Sequence, residues 1–451
     1  MRTLTRLAPL ALLVALAGAC GSDLTVPEYN NPSLEDLENN PTPAGVKAAA
    51  TGLLIGVRAD MTGRTSYIAL LGIVGREAYI LDASDPRYIN ELLVGPLTNT
   101  GAFGAGVWTA RYANIRGANI LLSATDKVTG FSDAEKEAIR GFAKTIQALD
   151  FLLVINTRDV NGAPIDVNRP LSELAPLESK AEVLARVAQL LDEGRTHLAA
   201  AGALPAFPFA LSTGFAGFNT PATFIRFNRA LRARVDVYRG DYPSAVTSLS
   251  QSFVSTADAL TTGVYNTYGT GADAPNDLAT NLIYAHPSIV TDAELKPDAT
   301  PDNRLTAKVG PHPQPRSIFG VGSDKAFLIY PEPSSRVSII RNEELILLRA
   351  EARWFTNDKP GATADLNFIR TTSGGLAPIA QPANDAAFIT ELLKQRRYSL
   401  LFEGHRWIDV RRFNRLTTLP LDQGNHTRVA AFQIPASECL ARNLNSPCTG
   451  S

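Results

Sequence analysis

Apolar residues recur every three or four positions along most of the chain, the spacing that puts them on one face of an α-helix. Val46, Ala49, Ala50, Leu53 and Val57 mark one such helix, and Trp108, Tyr112, Ile115, Asn119 and Leu122 mark another. Ser132 with Glu135 forms a capping box, and the helix it opens points Ile139, Phe142, Ile146 and Leu153 inward. Ser179 and Glu182 repeat the device ahead of Val183, Val187, Leu190 and Leu191. Thr220 is an N-cap followed by Pro221 at the first helical position, and Phe224, Phe227, Leu231, Val235 and Tyr238 follow at helical spacing. Near the C-terminus, Phe388, Leu392, Leu393 and Leu400 carry an amphipathic helix into Glu403, where Gly404 can take the left-handed conformation that stops it. Trp407, Val410 and Phe413 then return every three residues as a second short segment. The periodicity fails in two stretches, 63–104 and 261–338; the second holds nine prolines and short β-like runs such as Phe327-Leu328-Ile329-Tyr330. The expected fold is mostly α, with helical scaffold over about 41–62, 105–260 and 339–415, a few short β-strands, and two loop-rich insertions of the kind that concentrate binding residues.

Charge is sparse but unevenly placed. The 451 residues are 45% hydrophobic and 19% charged with a net charge of -1, a balance that suits a folded globular chain and gives no sign of nucleic-acid binding. The densest cluster is Arg396 to Arg412, RRYSLLFEGHRWIDVRR. Glu403 and Arg406 are three apart, as are Asp409 and Arg412, so each pair can meet on a helix face. A catalytic or anion-binding cluster is the sharper reading of these charges. An ion-pair network beside a buried Trp407, tying two helices together, is the reading that charges interleaved with large apolar residues favour.

The first residues read as an export signal. Arg2 and Arg6 precede an apolar run, Leu7 to Leu16, that is too short to span a bilayer. Ala17-Gly18-Ala19-Cys20 resembles a lipobox, in which Cys20 becomes the lipidated first residue of the mature chain; an ordinary secretory cleavage site is the alternative. Loss of residues 1–19 removes Arg2 and Arg6 and no acid, which takes the net charge from -1 to -3. Residues 20–40 are polar and are expected to tether a single domain over 41–451 to the lipid. Outside the reducing cytosol, Cys439 and Cys448 are expected to close the segment CLARNLNSPC with a disulfide; a metal pair lacks any His or further Cys nearby.

Two stretches also resemble known families. Tyr238-Arg239-Gly240-Asp241-Tyr242 with Ala245 looks like the turn of a tetratricopeptide hairpin, and Phe355-Thr356-Asn357-Asp358 with Ala362 like a degenerate second copy, too distant for a tandem solenoid. RRYSLLFEGHRWIDVRRF resembles the C-terminal signature of the SusD/RagB family, roughly E-R-x-x-E-L-x-F-E-G-x-R-W-x-D-L-x-R, matched at Phe402, Glu403, Gly404, Arg406, Trp407, Asp409 and Arg412. Ser399 and Gln395 stand where that family often has Glu, so one ion pair of its network is expected to be absent. DLTVPEYNNPS, FNRALRARVDVYRGDY, Asp302-Asn303-Arg304-Leu305, NEELILLRAEA and Phe432-Gln433-Ile434-Pro435 with Glu438 fit the same family. The resemblance implies a tetratricopeptide-like helical superhelix and a lipid-anchored outer-membrane protein, displayed at the cell surface. Such proteins bind a nutrient, by default an oligo- or polysaccharide, for a SusC-like TonB-dependent barrel transporter.

Chemistry beyond binding finds no motif. The five histidines, at 197, 286, 312, 405 and 426, include no pair at metal-ligand spacing, and no G-x-S-x-G elbow occurs. Gly101, Gly104 and Gly106 read as a flexible loop, and Asp159-Val160-Asn161-Gly162 as a turn and not a calcium loop. His405 reads as a packing or capping residue. No metal, cofactor or catalytic residue is therefore expected. Sugars present flat apolar faces edged with hydroxyls, which aromatic rings and Asp, Asn or Arg recognise. The insertions supply Tyr79, Asp82 and Tyr88 from one side and Tyr265, Tyr268, Asn276 and Tyr284 from the other, and these are the candidate ligand residues, with half-buried loop packing as the bland reading of each Tyr. Two rivals remain: a tetratricopeptide-like envelope scaffold lipoprotein with protein partners only, and a surface glycan hydrolase, which would need two converging carboxylates.

Overall fold

The computed structural model describes residues 34–448 apart from 171, 272 and 446. Cys20, residues 1–19 and most of the tether lie outside the described residues. Among the described residues, no helix is long and apolar enough to cross a membrane.

The chain begins with α1 (Leu34–Asn39), α2 (Pro43–Arg58) and α3 (Tyr67–Val74), followed by strand β1 (Ala78–Ile80). Thr42 caps α2 by accepting from the Gly45 N–H. The long helices follow: α4 (Thr109–Lys127), α5 (Asp133–Arg158), α6 (Lys180–Ala200), α7 (Pro221–Arg239) and α8 (Tyr242–Ser250). Both expected capping boxes form, at Ser132 with Glu135 and at Ser179 with Glu182. Gly240 ends α7 at φ +73°, and Asp241 caps α8 through the Ser244 N–H, so the tetratricopeptide-like turn is built as its residues imply.

After α8 the chain runs through β2 (Gly263–Asn266), β3 (Ile283–Ala285), β4 (Val309–Ile318), β5 (Val321–Phe327) and β6 (Val337–Arg341). It then returns to helix with α9 (Asn342–Phe355), α10 (Lys359–Thr372), α11 (Asp385–Ser399) and α12 (Arg406–Arg412). Helices pack in series from α2 on α4 through to α8 on α9 and α9 on α10. The two hairpin copies, far apart in sequence, are thus neighbours in space. The reason is a clasp: β2 and β6, at the two ends of the insertion, pair antiparallel with Val264 opposite Ile340 and Asn266 opposite Val337. The insertion is looped out from this clasp and the helical series continues beneath it. The fold is mostly α and tetratricopeptide-like.

The two insertions are less loop-like than their composition suggests. Residues 67–74, YIALLGIV, form α3 with every residue buried. A helix apolar all round has no period to detect, which is why the stretch reads as structureless. The insertions also share one antiparallel sheet, in the order β1-β3-β5-β4, where Tyr79 lies opposite Tyr284. β4 holds Pro311, Pro313 and Pro315, and an edge strand is where prolines are tolerated. Phe327 closes β5, but Leu328-Ile329-Tyr330 continue outside it.

Candidate functional site

The densest charge cluster lies in the interior. Arg396 Nε donates to Asp409 at 2.7 Å, Asp409 also meets Arg412 at 3.2 Å, and Arg412 reaches Glu351 on α9 at 2.8 Å. Arg341 meets Glu403 at 2.8 Å, and Arg234 on α7 meets Glu344 at 2.7 Å. Burial pushes the Glu343 and Glu344 carboxyls up, but the attraction of Arg341 and Lys308 for the first, and of Arg234 and His405 for the second, outweighs it and holds both at about 2. Trp407 is fully enclosed and donates its indole N–H to the Val429 carbonyl at 2.7 Å, with the Arg411 guanidinium 3.4 Å over its ring. The cluster joins α7, α9, α11 and α12, and its charges face one another, not solvent.

One detail corrects the sequence expectation. Glu403 and Arg406 do not pair: α11 ends at Ser399 and α12 starts at Arg406, so the helical three-residue spacing does not run between them. Glu403 turns to Arg341, and Arg406 donates to the Gly75 carbonyl at 3.0 Å. At Ser399 the hydroxyl accepts from Arg304 at 3.1 Å, and Arg304 finds its charge partner in Asp302 at 2.5 Å. Gly404 takes φ +84°, and a Cβ there would also lie 3.0 Å from the Tyr67 ring. His405 is half-buried beside Glu344 at 3.9 Å, and desolvation lowers its pKa, which suits packing and not proton transfer. Cys439 and Cys448 are joined by a disulfide.

The candidate ligand residues of the insertions fall in separate places, and their rings face inward. Tyr79 packs on His286 at 4.8 Å between ring centres, and Tyr284 stacks on His312 at 3.9 Å while donating to the Gln314 carbonyl. Tyr88 sits apart, against Phe103 at 5.0 Å. Tyr265 lies under Arg336 at 4.0 Å, and Tyr268 near Arg58 at 5.8 Å. Asn276 donates to Ser335 O at 2.8 Å and accepts from the Leu278 N–H. The five rings are between 1% and 7% exposed, so none offers a face to a ligand in this conformation. Asp82 is half-buried and is satisfied by Arg64 at 2.7 Å and by Ser84.

Open space lies elsewhere, between α4 and the connection that links α5 to α6. Two depressions of about 400 Å³ and about 210 Å³ share Val167 and Arg169 and so form one cleft. The smaller part is floored by Trp108 and Tyr112, whose rings are 4.7 Å apart, and Tyr112 is fixed by donating to the Pro164 carbonyl at 2.9 Å. The Arg158 guanidinium lies 5.2 Å from the Trp108 ring on α5. The larger part is bordered by Asn39, Arg116, Asn119, Ser123, Lys127 and Asn168. Asn119 is held by Gln147 at 2.7 Å, whereas Arg116, Ser123 and Asn168 are exposed and have no side-chain partner among the described residues. Sequence reasoning missed this cleft. Its one legible signal is a second stripe on α4: Trp108, Tyr112, Arg116, Asn119, Ser123 and Lys127 recur every three or four residues, beginning with two rings and ending polar. Among the described residues there is no group of His, Cys, Asp and Glu that could hold a metal ion.

The sequence model of the SusD family matches residues 333–444, the stretch that holds most of the buried ion-pair network. No curated protein matches the chain significantly in sequence. Solved structures match over nearly the whole fold. A SusD-like carbohydrate binding protein from Bacteroides fragilis is 15% identical, with 91% of this chain and 100% of that one covered and a TM-score of 0.70. NanU of B. fragilis is 15% identical over 93% of this chain and 99% of its own, with a TM-score of 0.69. A SusD superfamily protein from Bacteroides vulgatus is also 15% identical over 91% and 98%, with a TM-score of 0.67. At such identities the likeness speaks for the fold, and the matched signature speaks for the lineage. The signature's Glu403, Trp407, Asp409 and Arg412 sit in the helical junction, so residues 333–444 carry the sequence signature of the SusD family on a SusD-like fold.

Proposed function

We propose that the protein binds a carbohydrate at the cell surface and passes it to a SusC-like TonB-dependent barrel transporter, held at the outer membrane by a lipid on Cys20. The observation that carries this reading is the alignment of a SusD-like carbohydrate binding protein along its whole length with 91% of this chain, together with the family signature at 333–444. The role is one of capture and release, with no bond made or broken and no cofactor. A rigid helical series with an open cleft suits it, because little order has to be created on binding. The lipid anchor rests on Ala17-Gly18-Ala19-Cys20, and the barrel partner on the family resemblance.

The test is gentle detergent extraction of the native lipoprotein with identification of the large proteins that accompany it, paired with binding to an array of plant, bacterial and host glycans. A co-extracted TonB-dependent barrel and a bound glycan are expected. A lipoprotein that brings only other helical envelope proteins, and that binds no glycan, would move the reading to the scaffold. Release of reducing sugar by the purified protein would overturn the non-catalytic role.

A further inference from the structure

We infer that the cleft between α4 and the α5–α6 connection is a binding groove for a neutral, extended oligosaccharide. The inference rests on the carbohydrate reading above and gives it a site. Three features of the cleft point the same way.

The first is shape. The stripe from Trp108 to Lys127 follows one face of α4, and nineteen residues at about 1.5 Å each give a groove of about 28 Å, the length of a chain of several sugar units and far more than one sugar requires. The second is the order of chemistry along it. At one end the half-buried Tyr112 supplies apolar ring surface, backed by Trp108 at 4.7 Å between ring centres. Trp108 is only 4% exposed, yet its indole N–H meets no acceptor among the described residues and is not among the atoms enclosed from solvent. An N–H that reaches solvent at a cleft wall can turn from water to the acceptor of a ligand. Beyond the rings come the amides of Asn119 and Asn168 and the hydroxyl of Ser123, groups that both donate and accept, as sugar hydroxyls do. The third is charge. Four cationic and four acidic side chains border the two parts of the cleft. Several already neutralise each other, such as Arg169 with Asp166 at 2.6 Å. The larger part has more cations than acids and the smaller more acids than cations, so a polymer of one charge is opposed at one end, whereas a neutral one loses nothing.

The side chains without partners mark where contact is made. Arg116, Ser123 and Asn168 hold no structure together, so their conformational freedom is lost only when something binds. Tyr112 is different, since its hydroxyl is tied to Pro164 and its ring is oriented in advance.

Of the protein's three tryptophans only Trp108 lines the cleft, so quenching or a shift of tryptophan emission on titration reports it. The experiment titrates the purified protein with linear neutral hexasaccharides of α-1,4-glucan, β-1,4-glucan, β-1,3-glucan, β-1,4-xylan and β-1,4-mannan, following emission and heat together. It then repeats the titration with Arg116→Ala, Asn168→Ala and Trp108→Phe, and with Arg64→Ala on the insertion side as control. The expected result is an emission change with at least one hexasaccharide and a loss of roughly tenfold in affinity for Arg116→Ala or Asn168→Ala, with Arg64→Ala unchanged. Because residues 116 and 168 are exposed and unpartnered, those two variants fold as the parent does. Binding by heat that leaves emission and both exposed variants unchanged would overturn the cleft and leave the carbohydrate reading standing. No heat with any of the five, against binding of an acidic glycan on the array, would overturn the neutral groove in the same way. Absence of binding to every glycan on the array would sink both.

Discussion

Two regions of this protein are rich in arginine, acid and tryptophan, and they do opposite things with them. At the junction of α7, α9, α11 and α12, Arg412 is 8% exposed and bound to Glu351 and Asp409, and Trp407 is enclosed with its N–H paired. Along α4, Arg116 is exposed with no partner among the described residues, and the Trp108 N–H likewise meets none of them beside open space. Residue types alone do not separate the two. What separates them is whether each polar atom already has a partner, because a charge buried with its counter-ion is committed to the fold, whereas a free donor at a cleft wall is available to a ligand. A signature that looks like a site can therefore be scaffold, and a helix that looks like scaffold can border an open cleft.

The strongest way to test the contrast is to remove one member of the buried network. Asp409→Ala leaves Arg396 and Arg412 without their shared acid, and a buried charge stripped of its partner costs about 3–5 kcal/mol. Urea denaturation should show the midpoint fall by a matching amount with little change in slope. An Asp409→Ala protein as stable as the parent would mean that the network is dispensable.

Acid should act on the same region, and the sign differs from one buried acid to another. Glu343 and Glu344 titrate at about 2 in the fold against 4.5 unfolded, so their stabilisation is full above pH 4.5 and is lost as pH falls toward 2. Glu77 is the reverse. Burial is the largest cause and lifts its carboxyl to about 7, against the pull of Arg406. A raised acid binds its proton more tightly in the fold, so stability should decline as pH rises from 4.5 through 7 and then level. Thermal melts across pH 2–8 should show both limbs, and Glu77→Gln should flatten only the upper one.

How much of this was legible depends on what each element needs from its neighbours. The helices from 109 to 239 were readable because capping is local: Ser132 with Glu135, Ser179 with Glu182 and Thr220 with Pro221 act within one turn of chain. α3 was not, because YIALLGIV is buried on every side and shows no period. The strands of the insertions were only partly legible, since β1 and β3 are three residues each and are defined by pairing across two hundred positions. The tyrosines are ambiguous in sequence for a physical reason: Tyr79 and Tyr284 lie opposite each other in the sheet and are buried, and an amphipathic ring reads the same whether it lines a core or a ligand. The cleft draws on four separate stretches, 38–39, 108–127, 164–175 and 438–442, and only the second carries a spacing that can be read.

A smaller effect tests the hinge of the signature. Gly404 ends the turn between α11 and α12 at φ +84°, a conformation that costs an L-residue about 1–2 kcal/mol, and an added Cβ would press on Tyr67 at 3.0 Å. Gly404→Ala should therefore lower the melting temperature by a few degrees, a loss between that of Asp409→Ala and that of any cleft variant.

The smallest expected effect is the most informative. Arg116→Ala removes an arginine, as Arg412→Ala does, from a helix of the same scaffold. At 412 the loss strands Glu351, which is buried on α9, and the cost should again reach about 3–5 kcal/mol. At 116 nothing is stranded, since that guanidinium has no partner among the described residues, and unfolding stability should stay within about 0.5 kcal/mol of the parent. Parallel urea titrations of the two variants measure this directly. Equal losses would mean that Arg116 is bound into the fold and is not free to meet a ligand. A stable Arg116→Ala beside a crippled Arg412→Ala would show that one residue type serves the fold at one end of the helical series and is held in reserve at the other.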